Sequence, residues 1–91
     1  EPGYYKTGAY GIRIENLVAV REVEIAGADR RYLEFETLTL APIDLTCVEH
    51  RLLTEAERQW LNDYHRRVRE TVGSTVDEAT LVWLAEATRP I

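Results

Sequence analysis

The spacing of hydrophobic and polar positions changes along the chain near Pro42. Before this proline, short runs rich in β-branched and aromatic residues occupy positions 4–6, 10–15, 17–25 and 32–40, and such runs are typical of β-strands. After it, apolar residues recur at steps of three and four, as they do on one face of a helix. The pattern therefore predicts an α+β fold in which an antiparallel β meander is followed by two C-terminal helices.

The first two runs are predicted to form a hairpin around a three-residue turn at positions 7–9. Gly8 lies in this turn and tolerates the positive φ that such turns require. A turn of this length fixes the register of the two strands along their whole length. The expected partners are Lys6 and Tyr10, Tyr5 and Gly11, Gly3 and Arg13, and Glu1 and Glu15.

The next two strands differ in how regularly they alternate. Residues 17–25 read LVAVREVEI, and their apolar positions do not keep to one face, so a bulge near Arg21 and Glu22 is expected. Residues 32–40 alternate strictly, and we expect their carboxylates to form a solvated half-face. The two faces are Leu33, Phe35, Thr37 and Thr39 on one side and Tyr32, Glu34, Glu36, Leu38 and Leu40 on the other.

The second half carries start and stop signals for two helices. Thr54 and Glu57 have the spacing of a capping box, and Gly73 is a natural helix end, which predicts a first helix over residues 55–72. A second helix is predicted to begin after Asp77 and to stop before the final Arg-Pro pair. The apolar stripe of the first helix consists of Ala56, Trp60, Leu61, Tyr64, Val68 and Val72.

The aromatic and histidine side chains of this half are assigned structural rather than chemical roles. Trp60, Tyr64 and Trp83 are expected to pack in the core, because an aromatic stripe at helical spacing usually faces the rest of its own fold. His50 and His65 have charged neighbours in sequence and are expected to be solvated, not to bind a metal.

Composition excludes several classes of partner. The chain has 91 residues and a net charge of -5, which argues against binding to nucleic acid or to an anionic membrane surface. No apolar run approaches the roughly 18 residues that span a bilayer. Cys47 is the single cysteine, so it cannot form an internal disulfide and gives no sign of an oxidising compartment. The expected location is the cytoplasm.

Glu1 and Glu15 carry the candidate chemistry. Opposed residues of a hairpin have Cβ atoms about 4.5–5.5 Å apart. Two bare carboxylates about 5 Å apart repel by about 3 kcal/mol at an effective dielectric of roughly 20. A cation, a shared proton or solvation could offset this repulsion, and a pair of solvated glutamates on a surface hairpin is the alternative to a site.

The segments EPGYY, GIRIEN, FETLTLAPID and LLTEAERQWLNDYHRRV resemble the closing part of the Xaa-Pro aminopeptidases (aminopeptidase P), a group of pita-bread metallopeptidases. The resemblance covers nearly the whole chain and is weakest after Thr71. It implies that residues 1–40 are the last strands of the pita-bread catalytic domain and that residues 41–91 are a helical C-terminal module, both packing as one unit. Because the chain begins at Glu1, inside the first motif, we expect it to be a piece of a longer protein.

The resemblance also implies the roles of four side chains. Glu15 would bridge two divalent metals, and Glu1 would bind one of them and help to orient or deprotonate the attacking water. Arg13 and Tyr5 would support these ligands. Glu1, Arg13 and Tyr5 are therefore the catalytic candidates, and Glu1 and Glu15 are the metal candidates. Manganese suits such carboxylate ligands best, with zinc or cobalt as alternatives.

For the whole protein, the resemblance implies a metal-dependent hydrolase that removes an N-terminal residue from peptides with proline at the second position and that forms a homodimer. Two aspartates and a histidine that complete the ligand set would precede Glu1, so the chain by itself is expected to be inactive and metal-free. The alternatives are a non-catalytic interaction or dimerisation module derived from the same fold, or a relative of prolidase or creatinase.

Overall fold

The structure, a computed structural model, describes residues 3–91. Within this range the chain forms two compact units, the first ending at Thr39 and the second running over Leu40–Ile91. Two antiparallel strand pairs precede two α-helices, which confirms the predicted α+β class. The strands are β1 (Gly3–Lys6), β2 (Tyr10–Arg13), β3 (Val18–Val23) and β4 (Tyr32–Thr37). The helices are α1 (Glu55–Val72) and α2 (Glu78–Ala87), with short 3-10 helices at Leu45–Cys47, His50–Leu52 and Gly73–Thr75.

The hairpin of β1 and β2 has the predicted register wherever its residues are described. Gly8 takes a φ of 71°, and the Ala9 N–H donates to the Lys6 carbonyl at 3.0 Å to close the turn. The observed partners are Lys6 and Tyr10, Tyr5 and Gly11, Tyr4 and Ile12, and Gly3 and Arg13. The expected pairing of Glu1 with Glu15 lies outside the described residues.

The four strands pair as two separate hairpins. Within the described residues β2 is not paired with β3, and residues 14–17 between them have no regular secondary structure. The expected meander is therefore interrupted at this connection. The second hairpin turns at Gly27, which has a φ of 78°.

The bulge expected near Arg21 and Glu22 is wrong. β3 and β4 pair one residue to one residue from Val18 and Thr37 to Val23 and Tyr32, without an insertion. A bulge would be needed only if all apolar residues of β3 had to share one buried face. No residue of β3 or β4 is fully buried in the described chain, so both faces tolerate apolar side chains.

In β4 the apolar side chains are more exposed than the carboxylates, so the expected solvated carboxylate face is wrong. Leu33 and Phe35 are 64% and 75% exposed, whereas Glu34 and Glu36 are half-buried. Glu34 is directly opposite Arg21 and accepts a hydrogen bond from its Nε at 2.7 Å. The Arg21 and Glu34 side chains remain 57% and 39% exposed, so this cross-strand ion pair contributes only about 0.2–1 kcal/mol.

The hydrophobic core lies in the helical unit. α1 begins with the predicted capping box: the Thr54 N–H donates to the Glu57 carboxylate at 2.8 Å, and the Glu57 N–H donates to the Thr54 hydroxyl at 3.3 Å. α2 begins after Asp77, as predicted, and ends at Ala87. The buried core residues are Leu45, Leu61, Tyr64, Val68 and Leu84. Among the described residues, no helix combines the length and the apolar character that crossing a bilayer would need.

Tyr64 and His65 of α1 are hydrogen-bonded to the connecting segment that precedes the helices. The Tyr64 hydroxyl donates to the Ala41 carbonyl at 2.8 Å, and the Ile43 N–H donates to His65 Nε2 at 3.0 Å. Tyr64 is a core residue, as expected. His65 is only 1% exposed, so its predicted solvation is wrong, because the connecting segment covers the helix face on which it lies.

The two tryptophans do not pack in the core. Trp60 and Trp83 are 52% and 60% exposed, which contradicts the expected core packing. Trp60 instead stacks on the outer face of Tyr64, with ring centroids 5.4 Å apart and planes inclined by 2°. The apolar stripe therefore predicts which face of α1 is buried, but not which residues of that face are buried.

We predict that the stability of the helical unit falls as the pH drops below about 6.5, the ordinary pKa of histidine. Burial, and secondarily the charge of Arg69, lower the pKa of His65. Because the folded state disfavours protonated His65, the unfolded chain binds the proton first, and the free energy of unfolding decreases as the pH falls. Its contribution is fully present above pH 6.5.

Urea unfolding at pH 7 and pH 5, followed by tryptophan fluorescence, measures this loss. His65→Gln keeps an acceptor for the Ile43 N–H but does not titrate, so its stability should change less between the two pH values. An equal loss in the wild-type chain and in His65→Gln would contradict the prediction.

Candidate functional site

Four of the residues described in the first hairpin share one face. Gly3 is opposite Arg13, and Tyr5 is opposite Gly11, two positions further along the ladder. Directly opposed residues lie on the same side of a hairpin, and positions two apart return to that side. Tyr5 and Arg13, predicted as neighbours of a site, are therefore placed on a common surface.

The Tyr5 ring lies directly over Gly11, and the aliphatic part of the Arg13 side chain lies directly over Gly3. A Cβ atom built on Gly11 would lie 2.9 Å from Cδ1 and 3.2 Å from Cε1 of Tyr5. A Cβ atom on Gly3 would lie 2.9 Å from Arg13 Cγ and 3.0 Å from the Tyr5 hydroxyl. These approaches are closer than ordinary contacts allow, so only glycine permits the two side chains to lie this low. Glycine inside a strand often marks such a close approach, so Gly3 and Gly11 are the signal from which this surface can be predicted.

Arg13 forms an ion pair with Glu15 at the end of β2. The two side chains are 37% and 52% exposed, so solvent reduces the stabilising effect of the pair. The pair holds the Glu15 carboxylate, the candidate metal ligand, next to the face that carries Tyr5 and Arg13. The backbone after Glu15 is also held, since Leu17 is hydrogen-bonded to the end of β4 through its N–H and its carbonyl.

Glu15 suits a divalent metal in kind, because a carboxylate offers hard oxygen ligands. However, no group of three or more His, Cys, Asp and Glu residues in the described part of the chain could hold a metal ion. Glu1, the other predicted ligand, lies outside the described residues. The described residues therefore contribute one candidate ligand with a positioned neighbour, and a two-metal centre would need further ligands from elsewhere.

A cleft of about 290 Å³ lies in the helical unit between the connecting segment and α2. Its charged groups already have partners within the chain: Asp44 accepts from the Thr46 N–H at 2.8 Å, and Arg89 pairs with Glu86 at 2.8 Å. The backbone N–H of Thr46, and then its side chain, lower the pKa of Asp44. The cleft therefore presents no cluster of reactive groups to compare with the hairpin.

Comparison with known proteins gives a family match in the second part of the chain. The model of a family described as the C-terminal region of peptidase M24 matches residues 31–91. The match includes β4 and the whole helical unit.

Relatives extend the similarity over the full chain. A probable Xaa-Pro aminopeptidase P of Coprinopsis cinerea is 46% identical over 100% of this chain and 15% of its own length. A probable Xaa-Pro aminopeptidase P of Arthroderma benhamiae is 48% identical over 100% of this chain and 14% of its own length. The chain thus spans about 15% of the length of the curated relatives that it matches.

A solved structure is similar as well. The X-prolyl aminopeptidase of Caenorhabditis elegans, described as a cytosolic enzyme with a di-nuclear active site, has a TM-score of 0.89 and 42% identity to this chain. The similarity covers 99% of this chain and 15% of the nematode enzyme.

We predict that Gly11→Ala displaces the Tyr5 ring from the hairpin surface. The added methyl group would overlap the ring. Because Tyr5 is 61% exposed, the ring can turn toward solvent, so the cost should stay below the roughly 1–3 kcal/mol of overpacking in a buried core. In the wild-type chain, the ring current of Tyr5 should shift a Gly11 Hα proton in the NMR spectrum, and Tyr5→Leu should abolish that shift. The fraction of hairpin formed, read from the chemical shifts of its strands, measures the cost.

A double-mutant cycle provides the control. Gly11→Ala should cost much less in the Tyr5→Leu background, because the clashing ring is absent. Equal costs in both backgrounds would show that Gly11 is needed for its backbone and not for the Tyr5 ring.

Proposed function

The chain belongs to the C-terminal region family of peptidase M24, and we propose that it is part of a metal-dependent aminopeptidase that cleaves the bond between an N-terminal residue and a following proline. The observation that carries the proposal is the first hairpin, in which Tyr5 and Arg13 share one face and Arg13 holds the carboxylate of Glu15. Relatives that match the whole chain and bear the name Xaa-Pro aminopeptidase P support it.

In this proposal, Glu15 and Glu1 would help to hold two divalent metals, together with ligands from elsewhere in the whole protein. Manganese is the proposed metal, and zinc or cobalt are the alternatives. When bound, such a pair polarises the scissile carbonyl and makes water a stronger nucleophile. Glu1 would help to orient or deprotonate the attacking water.

Arg13 and Tyr5 act on this site through position and charge. The Arg13 guanidinium restricts the rotation of the Glu15 carboxylate through their ion pair, which fixes the direction of its oxygens. Tyr5 lies across Gly11 with its hydroxyl near Gly3, so it presents a hydrogen-bonding group on the side of the hairpin where Glu1 is expected. Both residues are thus proposed to orient ligands, not to bind metal.

The remaining features of the whole protein are proposals too. Residues 1–40 would complete a catalytic domain that supplies the missing ligands, and residues 41–91 would form its helical C-terminal module. The substrate would be a peptide with proline at the second position, and the protein would be cytoplasmic, as the nematode relative is described.

A second candidate role is an interaction or dimerisation module. Val82 and Trp83 of α2 are 69% and 60% exposed, although large apolar side chains favour burial. A homodimer that covers this part of α2 is compatible with the peptidase proposal. It becomes the main alternative if the hairpin carboxylates prove to bind no metal.

We predict that residues 1–91 alone do not release the first residue of a peptide with proline second. The described residues bring together no group of three metal ligands, so a two-metal centre cannot form from them. Purified chain with added manganese should show no product above a Glu1→Ala control in a chromatographic assay. Product formation that Glu1→Ala removes would contradict this.

In the full-length protein, Glu15→Gln should reduce turnover more than about 100-fold, because changes to groups that merely support a ligand already cost about 10–100-fold. The variant should also lose at least one metal, since a neutral amide is a poor substitute for a shared carboxylate. Metal content by atomic emission and release of the first residue from an Xaa-Pro peptide measure the two effects.

Glu70→Gln is the matched control, because Glu70 is an exposed residue of α1 outside the hairpin. It should leave both quantities unchanged. If Glu15→Gln retained both metals and a near-normal rate, Glu15 would not be a ligand and the peptidase assignment of this hairpin would be wrong.

A further inference from the structure

The connection between β2 and β3 is held at both of its ends. Arg13, at its start, is paired with Gly3 in the first hairpin. Leu17, at its end, accepts a hydrogen bond from the Leu38 N–H at 2.8 Å and donates its own N–H to Thr39 Oγ1 at 2.7 Å. Glu15 lies midway, two residues from each anchor.

The bond to Thr39 replaces a bond that the β ladder would otherwise make. The register of β3 and β4 pairs Val18 with Thr37, so continuing it by one step sets Leu17 opposite Leu38. In a hydrogen-bonded antiparallel pair, each residue donates to the carbonyl of the other. Leu38 donates to Leu17 as this pattern requires, but the Leu17 N–H bonds to the Thr39 hydroxyl instead of a backbone carbonyl.

Because the Leu17 N–H bonds to a side chain instead of a backbone carbonyl, the two strands can separate here while Leu17 stays fixed. A side-chain acceptor does not require the backbone of residues 38–40 to remain alongside β3. Hence the chain can leave the sheet after Thr39 toward Pro42, and the connection that carries Glu15 keeps its second anchor. Thr39 is half-buried, whereas Leu17 is 69% exposed, so this hydrogen bond lies at the surface. Its short length of 2.7 Å and the neighbouring bond from the Leu38 N–H hold Leu17 in place.

We propose that Thr39 is a positioning residue for Glu15, acting through the Leu17 N–H. The inference rests on the proposed function, since it concerns the placement of a metal ligand. Two residues of chain span at most about 7 Å, so a displacement of the Leu17 backbone also displaces Glu15. Ligand groups must be held within about 0.5 Å of their working geometry, so a modest loosening of this anchor should weaken metal binding.

The test uses the full-length protein and compares Thr39→Val with Thr39→Ser. Valine keeps the shape of threonine but removes the acceptor, whereas serine keeps the hydroxyl. Thr39→Val should weaken manganese binding to the metal-free protein by about 10-fold or more and lower kcat by about 10–100-fold, with KM for an Xaa-Pro peptide nearly unchanged. Thr39→Ser should restore both to within about 3-fold of wild type.

Manganese binding is measured by calorimetric titration, so it is read independently of turnover. Thr71→Val is the matched control, because Thr71 is exposed on α1 and its hydroxyl makes no hydrogen bond within the described chain. The Glu15→Gln background separates a local role from a general one. There, Thr39→Val should cause little further loss of manganese affinity, since the ligand that it positions is gone.

Three outcomes would overturn the inference. Unchanged metal affinity in Thr39→Val, beside a wild-type protein that binds metal and cleaves peptide, overturns this inference and leaves the proposed function standing. Retention of both metals by Glu15→Gln overturns the proposed function and this inference with it. An undiminished effect of Thr39→Val in the Glu15→Gln background shows a general structural role and also overturns the inference. If Thr39→Val does not fold, Thr39→Ala, which introduces no larger group, is held to the same expectations.

Discussion

Gly8 adopts a φ of 71°, and this backbone conformation determines which side chains of the first hairpin lie on a common face. Because the turn contains three residues, Tyr5 meets Gly11 and Arg13 meets Gly3. The side chains of a strand alternate with a period of two, so a slip of one residue would send Tyr5 and Arg13 to opposite faces. The candidate site therefore depends on the geometry of this turn before it depends on any of its charges.

The features that the sequence predicts well are those set by residues close together in the chain. The register of the first hairpin follows from a three-residue turn with a glycine in it, and both signals are local. The start of α1 follows from Thr54 and Glu57, whose reciprocal hydrogen bonds need only the first turn of the helix. The placement of Tyr5 and Arg13 on one face is predictable for the same reason. Their close approach to Gly11 and Gly3 depends on side-chain conformations that the turn does not determine.

The features that it predicts poorly depend on residues far apart in the chain. His65 has charged neighbours in sequence but is enclosed because Ile43, 22 residues away, bonds to it. Trp60 has the correct helical spacing for the core, yet it stacks on the outer face of Tyr64, which is itself a member of the buried cluster. The expected bulge in β3 assumed a buried face, and whether a face is buried is decided by what packs against it.

Because the described part of the first unit has no buried core, the contacts at Arg13 and Leu17 matter for holding the segment between β2 and β3 in place. The helical unit has a buried core, whereas none of residues 3–39 is fully buried in the described chain. A two-stranded hairpin is at best marginally stable in water, so its ladder bonds alone do not hold a side chain still. Glu15 has in addition an ion pair to Arg13 and, through Leu17, the hydrogen bonds of Leu38 and Thr39. A carboxylate that only faced solvent would gain nothing from being restrained at both ends, whereas one that must meet a metal in a fixed direction would avoid part of the entropy cost of binding.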